Sequence, residues 1–403
     1  MPSASSRFTS VAAVAAAFVF LASWALLHRG FYAAEEIVDI PVYETYGNAI
    51  AGGDVPYRDF RLEYPPGALP AFVVPALVGG RDPAAFRQAF ERTMALCGVA
   101  TVLLAAAVLA GVRAPRTRVV AALGAVALFP LLLGNVILTR FDLWPTALVV
   151  GALAALVWRR ARLGFGLLGA AVAAKLFAAI LLPLALAEVW RRRGRHEAAV
   201  CLAVFASVVA VAFVPFLLLA PEGVAYSFGR QLSRPLQIES LASALFLAAH
   251  HLFGLPLEMR SGSGSQNLAG AAPAVAAVAL SLVQVATLVW IWLRRPATAA
   301  ELVRWGAAAL VAFVALGKVL SPQFLIWLAP VVPLVAGRRG AVASVLLLAA
   351  LVVTQLWFPY RYWELALEFD GPAAALVLVR DLLLVAVLVV LVRAREPGAA
   401  RSP

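Results

Sequence analysis

Apolar runs of helical length recur along the whole chain, near residues 8–28, 93–112, 119–138, 143–158, 198–219, 270–293, 303–317, 323–337, 341–358 and 372–392. About 20 such residues suffice for an α-helix to cross the hydrocarbon of a bilayer. With 63% hydrophobic and only 13% charged residues, little of the 403-residue chain is left for a water-soluble domain. The expectation is an all-α, polytopic integral membrane protein with about 10 full spans. A soluble enzyme, a nucleic-acid-binding protein and a single-span receptor are excluded.

Charge gives the runs a direction. The net charge is +12, and its excess lies in short clusters: 113–118, 159–162, 191–195, Arg294 with Arg295, Arg338 with Arg339, and the tail from Arg393. Arginine-rich turns resist translocation, so all are assigned to the cytoplasm, and both termini follow. The N-terminal run has no convincing small-residue cleavage site after it and reads as the first retained span. One stretch, 163–190, is apolar yet flanked on both sides by clusters that belong together. A hairpin of two half-length helices with its tip near Lys175 resolves the conflict. Residues 68–79 and 236–253 are also short, and read as re-entrant or interfacial pieces on the outer side. Residues 1–403 then form a single transmembrane domain, with an outer loop and interfacial helices over 29–92 and a cytoplasmic tail over 393–403. Arginine used almost to the exclusion of lysine, with abundant alanine, points to the plasma membrane of a bacterium.

Sixteen of the 21 acidic residues fall in the outer stretches, nine of them between 29 and 92. Polar chemistry is therefore concentrated on one face, and a site is to be sought there. The first loop, 35–67, carries turn-making Gly52, Gly53, Pro65 and Pro66, preceded by a potential amphipathic surface helix over 39–51. Asp39 opens that helix, where a carboxylate serves either as an N-cap or as a general base. The only two lysines, Lys175 and Lys318, sit within or at the end of apolar segments. Ionisable groups at such depth face a cavity or snorkel to an interface. Arg140 and Asp142 share a short outer turn and either pair with each other or leave Arg140 for a phosphate. A second outer stretch holds Arg230, Gln231, Arg234, Gln237 and Glu239, and a third begins at Lys318 and is broken at Pro322, beside Gln323.

Other candidates read as structural. Arg380 and Asp381, mid-span in the last helix, are sequence neighbours that point to different faces and need separate partners. His250 and His251 diverge on a helix and have no further ligands at usable spacing, so no metal is expected. Cys97 and Cys201 lie in apolar stretches, where neither a disulfide nor a thiolate site is encoded.

Taken in order, four segments resemble the GT-C membrane glycosyltransferases, and among them glycosyltransferase family 87, which includes polyprenol-phosphate-mannose-dependent mannosyltransferases. They are Asp39-x-x-x-Tyr43 with Gly53-Asp54-Val55-Pro56-Tyr57 and Glu63-Tyr64-Pro65-Pro66, the stretch from Ala173 to Pro183 that contains Lys175, Arg234-Pro-Leu-Gln-Ile-Glu-Ser240, and Ser321-Pro-Gln-Phe-Leu-Ile-Trp-Leu-Ala-Pro330. Phe324 and Leu325 stand where the mannosyltransferase pattern often has a histidine pair. The resemblance implies an inverting transfer of a sugar, mannose first, from a polyprenyl-phosphate donor to a lipid or glycan acceptor on the outer face, with no cofactor. It casts Asp39 as the base and draws the donor-phosphate ligands from Lys175, Lys318, Arg140, Arg230, Arg234 and Arg361. Tyr43, Tyr57, Glu63, Tyr64, Asp142, Gln237, Glu239 and Gln323 become substrate-binding candidates. The competing reading is a secondary transporter or lipid flippase with a buried charged pathway; a transporter predicts inverted repeats, and the sequence shows none.

Overall fold

The structure is a computed structural model and describes residues 4–34 and 36–393; Glu35 and the end of the expected tail lie outside the described residues. The helices are α1 (Ala4–Leu26), α2 (Ile40–Ala51), α3 (Pro70–Gly79), α4 (Pro83–Gly111), α5 (Arg116–Leu133), α6 (Leu143–Val157), α7 (Ala161–Ala174), α8 (Leu182–Leu219), α9 (Pro221–Leu232), α10 (Leu241–Phe253), α11 (Ala271–Trp292), α12 (Ala299–Ala315), α13 (Leu325–Leu328), α14 (Gly337–Trp357), α15 (Tyr362–Glu368) and α16 (Gly371–Val392). Among the described residues, seven helical segments are long and apolar enough to cross a bilayer: the body of α1, α4, α5, the run 176–219, α11, α14 and α16.

The other three expected crossings are shorter. Helices α6 and α12 have 15 and 17 residues and are buried along most of their length, so neighbouring helices rather than lipid surround them. The run 323–337 becomes a single turn of α-helix, α13, between two 3-10 turns, because Pro322, Pro330 and Pro333 each remove a helical N–H.

The hairpin expected over 163–190 is present. Helix α7 climbs to Lys175, which has extended backbone, and a 3-10 stretch, Leu176–Leu181, turns the chain back into α8. At Gly194 (φ 84°, ψ 173°) the backbone leaves helical geometry within α8, a conformation that glycine adopts without a Cβ penalty. The two arginine-rich flanks meet, as the topology requires: Arg193 donates to the Arg159 carbonyl at 2.5 Å, and Arg162 pairs with Glu197 at 2.9 Å. The remaining clusters join the same end. Arg116 stacks over Phe8, Arg118 donates to the Val335 carbonyl, and Arg339 donates to the Arg393 carbonyl.

Two features depart from expectation. Residues 258–269 form a β-hairpin, β1 (Glu258–Gly262) with β2 (Ser265–Ala269), turned through Ser263 and Gly264, both left-handed. Its second strand also bonds residues 236–238, with Ile238 N–H to the Gln266 carbonyl and Leu268 N–H to the Leu236 carbonyl, both at 3.0 Å. The Ser/Gly alternation there is the signature of a tight turn with primed geometry rather than of a loose loop. Second, Arg380 and Asp381 pair with each other at 2.6 Å, both fully buried, instead of seeking separate partners. The long arginine side chain folds back on its neighbour and still donates to the Glu239 carbonyl at 2.6 Å.

With Cys97 and Cys201 replaced by alanine, Asp54→Cys should react with a membrane-impermeant maleimide added to intact cells and Arg195→Cys should not. Equal labelling of both would mean that the arginine-rich and acid-rich ends do not face opposite compartments.

Candidate active site

At the end of the bundle opposite the arginine clusters lies a cavity of about 670 Å³. Broken elements build it: the start of α2, the turn 63–65, the Lys175 tip, the 3-10 turn at 322–324, the loop 230–239 and the β-hairpin tip. Non-helical backbone at membrane depth is tolerated where it lines such a space.

Asp39 occupies the N-cap position of α2, as expected, but its side chain makes no cap bond. It turns to the cavity instead, 3.2 Å from Arg140 Nε, and accepts from the Tyr43 hydroxyl at 3.3 Å. Both contacts use Oδ2, and among the described residues no hydrogen bond engages Oδ1. Arg140 is buried and does not pair with Asp142, its neighbour in the turn. Asp142, fully buried, takes the Lys175 ammonium at 2.6 Å and the Trp327 indole N–H at 2.5 Å on the same oxygen. The two charges of one tight turn thus face different ways and bind different elements.

Lys175 lies over the rings of Phe141 and Trp327, at 4.7 and 5.2 Å, and it too lines the cavity. Arg230 holds Glu63 at 2.7 Å. Gln237 donates to Glu239 through a short side-chain contact, and the Gln237 N–H donates to the Lys318 carbonyl at 3.0 Å. Lys318 donates its ammonium to the Leu232 carbonyl at 3.0 Å, and among the described residues no carboxylate lies within ion-pair reach of it or of Arg234. Partial burial, and then the Arg234 charge, lower the basicity of the Lys318 amine.

The cavity therefore collects Asp39, Glu63, Tyr64, Arg140, Lys175, Arg230, Arg234, Gln237, Glu239, Lys318 and Gln323. Four candidates lie off its surface. Arg361 pairs with Glu364 at 2.9 Å and Asp370 at 3.0 Å, which removes it from the candidate phosphate ligands. Tyr43 is buried behind Asp39, stacked on Phe72. Tyr57 donates to the Tyr64 carbonyl at 2.6 Å and so supports the wall rather than forming it. Asp142 lies behind Lys175, whose ammonium it holds. His250 and His251 bond backbone carbonyls of Leu255 and Phe369.

Sequence reading missed an aromatic wall. Trp327 is sandwiched between Phe177, at 4.0 Å and 4°, and Phe324, at 4.2 Å and 19°. Phe324 and Trp327 belong to the Ser-Pro segment itself, so the signal was two aromatics three residues apart after the helix break. Ser263 and Gly264, at the hairpin tip, were missed with the hairpin.

The geometry also explains the Tyr-Pro-Pro-Gly turn. A Cβ on Gly67 would come within 2.5 Å of the Ala173 backbone, at the end of α7 just before Lys175. The Gly67 carbonyl accepts from the Trp144 indole at 2.9 Å. This close approach joins the first outer loop to the hairpin tip.

The sequence profile of glycosyltransferase family 87 matches residues 62–322, more than half of the chain. The chain belongs to glycosyltransferase family 87. Family membership makes it a glycosyltransferase and sets the transporter reading aside. Among solved structures, the fold matches ArnT from Cupriavidus metallidurans bound to undecaprenyl phosphate, at a TM-score of 0.50 and 15% identity over 95% of this chain and 76% of that one. The apo state of the same ArnT matches with a TM-score of 0.50 and 14% identity, over 96% and 77%. The fold of this family 87 chain is thus the polytopic GT-C fold. No match is found among curated proteins.

Gly67→Ala should force the turn away from α7, destabilise the protein by about 1–3 kcal/mol and lower its melting temperature in detergent. Ala173→Gly in the same chain should restore little, because the clash is with backbone. An unchanged melting temperature for Gly67→Ala would show that the close approach is not a constraint.

Proposed function

We propose that this family 87 enzyme is an inverting transferase that moves a sugar from a polyprenyl-phosphate donor to a lipid or glycan acceptor at the acid-rich, outer face of a bacterial plasma membrane. Mannose is the sugar that the sequence resemblance favours. The chain works as a single domain, with both termini and the arginine clusters in the cytoplasm. The observation that carries the reading is one cavity with a partly exposed carboxylate and two cations, Lys318 and Arg234, that among the described residues make no ion-pair contact with a carboxylate. The shared fold of an ArnT that binds undecaprenyl phosphate supports the donor class.

Asp39 Oδ1 accepts the proton of the acceptor hydroxyl as that oxygen attacks the anomeric carbon. The bond from that carbon to the phosphate oxygen breaks, and polyprenyl phosphate leaves with the electron pair. The leaving phosphate lies against Lys318 and Arg234, since the other cavity cations, Arg140, Lys175 and Arg230, already hold carboxylates. The stacked Phe177, Trp327 and Phe324 offer a face to the sugar or to the first isoprene units.

Asp39→Asn, assayed with polyprenyl-phosphate mannose and a panel of other lipid-linked sugars, should fold normally and lose about 10²–10⁴-fold in turnover. Retained turnover would remove Asp39 from the chemistry. Lys318→Gln should lower turnover at an unchanged melting temperature. Lys175→Met, by contrast, leaves Asp142 buried without its cation and should cost about 3–5 kcal/mol of stability. If the two lysine variants behave alike in both measurements, the division between a substrate cation and a structural one is wrong.

A further inference from the structure

A second concave site lies at the opposite end of the molecule. It has a volume of about 640 Å³ and is walled by the ends of α4 and α6, the last turn before the Gly194 break, and the start of α12. Gly111, Arg113, Trp158, Arg159, Arg192 and Thr298 line it. Arg192 pairs with Glu188, whereas among the described residues neither Arg113 nor Arg159 has a carboxylate partner. The other nearby acids are engaged: Glu197 with Arg162 and Arg193, and Glu301 with the Ala297 N–H.

The backbone of Arg113 and Arg159 is unusual, a feature they share with Arg295 after α11, which does not line the bowl. Each follows the last turn of its helix with left-handed geometry, φ 56° and 62°, and the next residue, Ala114 or Arg160, returns its N–H to a carbonyl five residues back. This is the position where helices place glycine, because a side chain there is strained. A cation near a helix C-terminus does favour the dipole, but an arginine one turn earlier would do so without the strain. Two strained arginines opening into one bowl, and unpaired there, indicate that their guanidinium groups are kept for a ligand.

We infer that this bowl binds the phosphate headgroup of an anionic glycerophospholipid in the leaflet on the arginine-rich side. Guanidinium forks suit phosphate oxygens, and basic pockets between helix ends are headgroup sites. A lipid is favoured over free phosphate by Trp158, which is 55% exposed overall while its indole N–H is tied to the Ala107 carbonyl at 2.8 Å. Such a ring lies at headgroup level beside acyl chains. The inference uses no residue of the proposed transfer chemistry and stands apart from it.

The test is native mass spectrometry of the purified full-length protein titrated with phosphatidylglycerol or phosphatidylcholine, alongside melting temperatures in detergent. Wild type should retain phosphatidylglycerol with about tenfold preference over phosphatidylcholine, a factor of the size that one or two charged contacts supply. The double variant Arg113→Gly, Arg159→Gly should lose that preference while melting no lower than wild type without lipid, because glycine relieves the strain. Arg113→Gln alone should weaken retention, and Arg29→Gln at the far end should not. Unchanged retention by the double glycine variant overturns the proposal. So does equal thermal protection by inorganic phosphate at the same concentration, which would make the bowl a free-phosphate site.

Discussion

A charge withdrawn from water among packed helices must meet its opposite, or the segment that carries it does not stay buried. Around the cavity this requirement is met three times between elements distant in sequence: Arg140 with Asp39, Lys175 with Asp142, and Arg230 with Glu63. Each pair joins a different pair of segments. The start of α2 is tied to the turn before α6, that turn to the tip of the hairpin, and α9 to the first outer loop. These three clips tie the elements around the cavity together, and on the proposed reading its cations divide into those that maintain the architecture and those left for a ligand.

The broken helices raise a second requirement, for each interruption exposes backbone groups in a place without bulk water. Side chains from neighbouring helices meet several of them. Gln284 of α11 donates to the Phe313 carbonyl near the end of α12 at 2.6 Å, and Trp292 donates to the Ile180 carbonyl in the 3-10 turn after Lys175 at 2.9 Å. Trp144 serves Gly67 in the same way. These polar side chains, in helices that otherwise read as plain lipid-facing or packing spans, let Lys175 and Lys318 sit on non-helical backbone.

Much of this was legible in the sequence, and the exceptions have physical causes. The arginine clusters dictated which ends come together, and the contradiction at 163–190 forced the hairpin. Asp39 was recognisable as the start of a helix, but not as the partner of Arg140, because pairing across 101 positions leaves no local pattern. Arg140 and Asp142 misled by proximity: in a tight turn they project in different directions. Arg361 was drawn in by the resemblance, and its neighbours Glu364 and Asp370 neutralise it. Trp327 was hidden because an aromatic in an apolar run has the same appearance whether it packs against helices or walls a site.

The charge balance of the cavity bears on why a glycosyl phosphate would react there. A polyprenyl phosphate sugar is a diester with a single negative charge, and the departing polyprenyl phosphate gains a second as its bond to the sugar breaks. Lys175 and Arg230 are neutralised by Asp142 and Glu63 and present little net field to that new charge, whereas Arg140 is neutralised by Asp39 only until that carboxylate takes the acceptor's proton. Among the described residues, Lys318 and Arg234 have no carboxylate within ion-pair distance. On the proposed reading their attraction for the phosphate grows as the second charge develops, so that they stabilise the transition state more than the bound donor, which is the condition for accelerating the step rather than merely tightening binding. Burial amplifies the difference, since a partly desolvated cation has little water to screen it. On that reading Lys175 has a quieter part: locked to Asp142, it keeps the hairpin tip where Asp39, Lys318 and Arg234 would act on one substrate.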